Sequence, residues 1–123
     1  MAAPEDRTDN DMIPRRAGLL TPMQIYVAGV APILTPQVRA YAEYKVFSRL
    51  APLARNVDMV QVVVTEAPDE DGGAVCAVTA DLGDAGFVRT RVRRPQATGA
   101  IDLAAENVAR AAARRLTGVP GPA

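Results

Sequence analysis

Between Phe87 and Arg94, arginine occupies every second position: Arg89, Arg91 and Arg93, interleaved with Val88, Thr90 and Val92. A period of two belongs to a β-strand, whose side chains point alternately to opposite faces. One face of this strand is apolar enough to bury, while the other carries a row of guanidinium groups. Residues on the same face lie roughly 6.5–7 Å apart, close to the phosphate repeat of a nucleic-acid strand. An isolated strand of this kind reads as a solvated outer face. What surrounds this one directs the reading toward RNA.

The chain has 123 residues, enough for one domain whose core needs no disulfide. Its aromatic residues are Tyr26, Tyr41, Tyr44, Phe47 and Phe87, so the core has to come from Val, Ala, Leu and Ile. The lone Cys76 excludes an internal disulfide, suits a reducing cytosol, and reads as a small buried hydrophobe. Histidine is absent, which removes the commonest general base and metal ligand. No apolar run approaches the roughly 20 residues of a membrane span. Residues 2–10 lack the basic and apolar blocks of a secretory signal, so a cytoplasmic location is expected. Asp69, Glu70 and Asp71 lie in a Pro/Gly turn with no partner base or full ligand set, and read as a solvated loop. No phosphate-cradling glycine loop or nucleophile elbow occurs. The expectation is a protein that is not an enzyme, without metal, cofactor or small-molecule substrate.

Lys plus Arg and Asp plus Glu both number 14, so the net charge is zero. That total hides a strong asymmetry. Residues 66–84 carry six acids and no base, whereas residues 85–123 carry seven bases against two acids. The local field, not the sum, decides what a surface attracts.

Residues 1–22 mix charges with Pro4, Pro14, Gly18 and Pro22 and show no sustained period, which predicts a flexible N-terminal tail. Residues 23–28 alternate as a first strand closed by Gly29. Thr35 before Pro36 is a helix-start signal, and the spacing predicts a helix to about Leu50 with the seam Val38, Ala42, Val46 and Leu50. Pro52 is expected to stop it by disfavouring helical geometry at Ala51. Arg49 falls inside the apolar seam, which requires either snorkelling or a distorted last turn. Residues 57–65, rich in Val, predict a central strand buried on both faces. Residues 66–73 form a turn, 74–82 a third strand, and 83–86 a tight hairpin into the arginine strand. A second helix from about Pro95 to Leu116 would bury Ile101, Ala105, Val108 and Ala112. Its outer column is Asp102, Glu106, Arg110 and Arg114. Gly118 and Pro120 end it.

The order is β-α-β-β-β-α: an α+β fold with a four-stranded mixed sheet and two helices on one face. A domain over residues 23–117 would lie between an N-terminal tail, 1–22, and a C-terminal tail, 118–123. The other sheet face is left to solvent or a partner, and an exposed edge leaves homodimer formation open.

Several stretches in this order resemble the ribosome hibernation-promoting factors, also called ribosome-associated inhibitor or sigma-54 modulation proteins, in their short form without a second C-terminal domain. The resemblance runs over roughly residues 23–116. It lies in Met23-Gln24-Ile25, in Leu34-Thr35-Pro36, and in Arg39, Tyr41, Glu43, Lys45 and Val46. The valine-rich second strand and Ala100-Ile101-Asp102 in the last helix complete it. It implies a fold similar to double-stranded-RNA-binding domains and binding to the small ribosomal subunit near the mRNA channel and the A and P sites, which blocks translation and preserves idle ribosomes. The chain departs from the family in an alanine-rich final helix with fewer charges, about one extra residue near Phe47 and Ser48, and the acidic stretch at residues 69–71.

By the family's residue types, rRNA contacts fall on Arg39, Lys45 and Arg49 of the first helix and on Arg110, Arg114 and Arg115 of the second. They would act by phosphate neutralisation, which needs no base-specific code. Each alone reads more simply as a solubilising surface charge. Arg89, Arg91 and Arg93 stay open between extending the RNA footprint, holding a protein, and pairing with acids such as Asp81 across the sheet. Tyr41 and Tyr44 read as packing against the sheet edge, with base stacking the alternative. The rival to a ribosome factor is a protein-interaction module of the same fold.

Overall fold

The computed structural model describes residues 23–68 and 72–118. The expected tail at residues 1–22, most of the expected C-terminal tail, and Asp69, Glu70 and Asp71 lie outside the described residues. Within them the elements are β1 (Gln24–Gly29), α1 (Pro36–Leu50), a 3-10 helix (Ala51–Asn56), β2 (Met59–Glu66), β3 (Ala74–Asp81), a 3-10 turn (Gly83–Ala85), β4 (Phe87–Arg94) and α2 (Ala97–Thr117).

The sheet order is β1-β2-β3-β4, with β1 parallel to β2 and the remaining pairs antiparallel. Register lines up Val27, Val62, Val78 and Thr90 on one rung, and Val64, Cys76 and Val92 on another. These positions face the helices. Val60, Val62, Val64, Cys76, Val78, Ala80, Val88 and Val92 are all buried there. No described helix covers the opposite face, although Val75 there is buried. The expectation that the second strand is buried on both sides is therefore corrected: Gln61 is exposed and Val63 is 40 % exposed. Valine on that face reflects strand propensity, not burial.

Thr35 caps α1 by accepting a hydrogen bond from the Val38 amide at 3.1 Å, and Pro36 takes the first position, where a missing N–H costs nothing. Ala42, Val46 and Leu50 are buried, and Val38 is half-buried. Arg49 is exposed while the helix stays regular to Leu50, so the side chain leaves the seam along its stem. Helix α1 ends at Leu50 as expected, but the expected non-helical geometry at Ala51 is corrected. Ala51 is helical (φ −53°, ψ −41°), and Pro52 sits in the first turn of the 3-10 helix, where it has no earlier amide bond to break.

Helix α2 buries Ala100, Ile101, Ala104, Ala105, Val108 and Ala112, whose small side chains let the helix lie close over β3 and β4. Gly118 ends it in the left-handed conformation (φ 74°). Both α1 and α2 follow strands that run the same way and both return across the same face, so the two helices are parallel and adjacent. Their C-terminal ends share one end of the molecule with the 3-10 helix and the β3–β4 turn.

Candidate nucleic-acid interface

Parallel helices gather cations from distant parts of the sequence. Arg49 closes α1, while Arg114 and Arg115 occupy the last turn of α2, with Arg110 one turn earlier. The carbonyl-rich helix ends favour cations there, so the placement satisfies the dipoles as well as any ligand. Arg115 donates from Nη1 to the Ala85 carbonyl at 2.8 Å, which ties α2 to the β3–β4 turn. Arg110 lies 3.7 Å from Glu106 and donates to Asn107 Oδ1 at 3.2 Å. The side chains of Arg49 and Arg114 are exposed and have no partner among the described residues. Arg55, in the 3-10 helix beside them, is likewise exposed and unpartnered among the described residues. The sequence does not single out Arg55, which lies beyond the helix end expected near Leu50.

Lys45 and Arg39 sit elsewhere. Lys45 reaches across the helix seam to within 3.8 Å of the Asp102 carboxylate and 5.9 Å from the centre of the Tyr41 ring. The Tyr41 hydroxyl donates to the same carboxylate at 2.5 Å, which raises its pKa above the usual value, with desolvation and the charge of Asp102 adding to the rise. Tyr41 therefore faces α2 and not the sheet edge, and Tyr44 is 66 % exposed, correcting both packing expectations. Asp102 belongs to this seam instead of serving only as the start of an outer charge column. Arg39 donates from Nη1 to the Val27 carbonyl at 2.5 Å, occupying a backbone acceptor of the edge strand β1. These two cations are engaged in holding the scaffold.

Arg89, Arg91 and Arg93 emerge on the open sheet face, away from the helix ends. Arg89 donates to Thr79 Oγ1 at 3.2 Å and Arg93 to the Gly72 carbonyl at 3.2 Å. Asp81 does not serve them. Register places it beside Phe87, and its carboxylate accepts from the Gly83 amide at 2.9 Å. The nine candidate cations thus divide into a helix-end group, a scaffold-holding pair and a strand row. Among the described residues no polar or charged side chain is buried, and no cluster of three His, Cys, Asp or Glu side chains could hold a metal. Cys76 is fully buried, and burial pushes its thiol up to about 12. No helix among the described residues is long and apolar enough to cross a membrane.

Neither a family model nor a curated protein matches the sequence. Solved structures do. The N-terminal domain of Protein Y from Thermus thermophilus aligns with a TM-score of 0.56 at 27% identity, covering 76% of this chain and 98% of its own. A ribosomal subunit interface protein from Coxiella burnetii aligns with a TM-score of 0.65, covering 77% of this chain and 99% of its own; at 13% identity it speaks for the fold alone. The residues that carry the sequence resemblance and the likeness to the Thermus domain point the same way: the chain is similar to proteins of the ribosome hibernation-promoting factor family.

Proposed function

We propose that this chain is a hibernation and translation-inhibition factor that lays the C-terminal ends of α1 and α2 on rRNA of the small ribosomal subunit, near the decoding region. Arg49, Arg114 and Arg115 would neutralise phosphates, with Arg110 and Arg55 at the margin. Occupancy itself is the mechanism: a folded domain across the mRNA path and the A and P sites excludes the ligands of translation. It requires no catalysis, cofactor or membrane, and it places the protein in the cytoplasm during stress or dormancy. Residues 23–117 form the binding domain.

The observation that carries this reading is the convergence of exposed cations at one end of two parallel helices, with Arg49 and Arg114 free of acids among the described residues. The Glu106 contact of Arg110 is a surface pair at 3.7 Å. Such a pair is worth at most about 1 kcal/mol, so a phosphate can displace it. Zero net charge does not oppose the reading, because screening over about 8–10 Å leaves each patch to act on its own.

Sedimentation of stationary-phase lysate through sucrose gradients tests it. The protein should travel with small subunits or whole ribosomes at low salt and leave them as salt rises. Presence at the top of the gradient under both conditions would reject it. A second reading, a protein-interaction module of the same fold, is favoured by the open sheet face, where Tyr26 (52 %) and Phe87 (61 %) are exposed. Absence from ribosomes together with a salt-resistant protein complex would select it.

A further inference from the structure

The open face of the sheet carries cations and aromatic rings with little counter-charge. Register sets Tyr26, Gln61, Thr79 and Arg89 on one rung of it, with Phe87 and Arg91 on the rungs to either side. Tyr26 is 52 % exposed and Phe87 61 %. Arg89 donates through Nε to Thr79 Oγ1 at 3.2 Å, which leaves both of its terminal nitrogens without a partner among the described residues. Arg91 is exposed and has no partner among them at all. The acid that the described strands place on this face, Asp81, already accepts from the Gly83 amide at 2.9 Å. We propose that this face binds single-stranded RNA, with phosphates along Arg89 and Arg91 and unpaired bases laid inward against the rings of Phe87 and Tyr26.

The match is one of spacing, relief and chemistry. Arg89 and Arg91 stand roughly 6.5–7 Å apart along the strand, so successive phosphates of an extended chain can each meet one guanidinium. With Nε held by Thr79, Arg89 presents a planar pair of donors, the fork that grips a phosphate from two sides. Arg93 is not required, because it already donates to the Gly72 carbonyl. Tyr26 lies three strand spacings from the arginine row, about 14 Å. The floor between them is low, since Ala28, Ala77 and Thr79 are small, and bases can lie across it. The exposed Gln61 amide rises from that floor and can bond a base edge or a ribose 2′-hydroxyl. The strand has to be single, because a duplex keeps its rings stacked on one another and would leave both aromatics idle.

A second copy of the chain fits this face worse. Pairing two β4 strands edge to edge sets arginine against arginine, and packing face to face brings the row no acid except the committed Asp81. An acidic polypeptide would neutralise the row but gives the two rings no stacking partner. The helices pack on the other side of the sheet, so a strand bound here leaves their C-terminal ends free. One chain would then hold rRNA at the helix ends and a separate single strand across the sheet.

Fluorescence anisotropy of a labelled oligouridylate of about ten nucleotides, titrated with the full chain at low salt, tests the proposal. No ribosome is present, so failure here leaves the functional reading standing. The oligouridylate should bind, and a duplex RNA of the same length should bind at least about fivefold more weakly. Arg89→Gln with Arg91→Gln should weaken binding at least about tenfold and make its slope against log salt shallower by about 1.4. Tyr26→Ala with Phe87→Ala should weaken it at least about fivefold, whereas Arg49→Gln with Arg114→Gln should change it less than about twofold. All these positions are exposed, so the unfolding transition should stay in place in each variant. No binding, equal binding of the duplex, or binding indifferent to the strand arginines or to the two rings would overturn the proposal. So would loss with the helix-end pair in place of the strand pair. Displacement by polyglutamate as readily as by unlabelled oligouridylate would overturn it too, and assign the face to an acidic protein.

Discussion

Val62 and Val63 are neighbours in one strand, yet one is 1 % exposed and the other 40 %. The difference between the two faces of this sheet extends from packing to charge. On the covered side, α1 and α2 meet over a valine and alanine core, and their cations are carried to the helix ends or into a seam with Asp102. On the open side no described helix lies over the sheet, and the arginine row stands on an edge strand, while the Asp81 carboxylate is committed to a turn. Cations of the same type thus serve different purposes because the elements beneath them differ.

The largest expected effect breaks the comparison at its core. Ile101→Ala, at a site with no exposure, should lower unfolding free energy by roughly 3 kcal/mol in chemical denaturation, whereas Val63→Ala should change it by less than about 0.5 kcal/mol. An equal cost at Val63 would mean that something buries the open face. Alkaline pH comes next. The Cys76 thiol ordinarily titrates near 9.0 and is pushed up to about 12 in the fold. Its folded pKa lies above the unfolded one, so its stability contribution is complete below pH 9 and is lost as pH rises toward 12. At pH 10.5 that amounts to about 2 kcal/mol, and Cys76→Ala should flatten the slope between those limits. Tyr41→Phe, which removes the hydroxyl bonded to Asp102, should cost under about 1 kcal/mol. It should also remove the further loss of stability that the raised tyrosine pKa causes above pH 10. Smallest of all, Arg89→Gln with Arg91→Gln should change small-subunit affinity less than about twofold, because phosphate contacts at the helix ends dominate.

The fold was legible because its signals are local. The arginine alternation marked β4, Thr35 with Pro36 marked the start of α1, and the spacing of Ile101, Ala105, Val108 and Ala112 marked the buried stripe of α2. What escaped depended on partners distant in sequence. Tyr41 and Asp102 are separated by 61 residues, and no periodicity reveals that they bond or that Lys45 joins them. The open side of β2 was misread because valine is chosen for strand geometry as well as for burial. The end of α1 at Leu50 was legible, but the 3-10 helix that follows was not, because proline is harmless in the first turn of a new helix. The site was legible in residue type but not in grouping: the wheel could place Arg49 and Arg114 on their own helices, whereas only the parallel packing of those helices brings them to one end.

The central claim, that arginines at the helix ends grip ribosomal phosphates, is tested most directly by the salt dependence of binding to purified small subunits. For the unaltered chain, log affinity should fall linearly with log salt. Arg49→Glu with Arg114→Glu should weaken binding by at least about tenfold and make the slope shallower by about two, with the unfolding transition unchanged. An unaltered slope and affinity in that variant would contradict the claim.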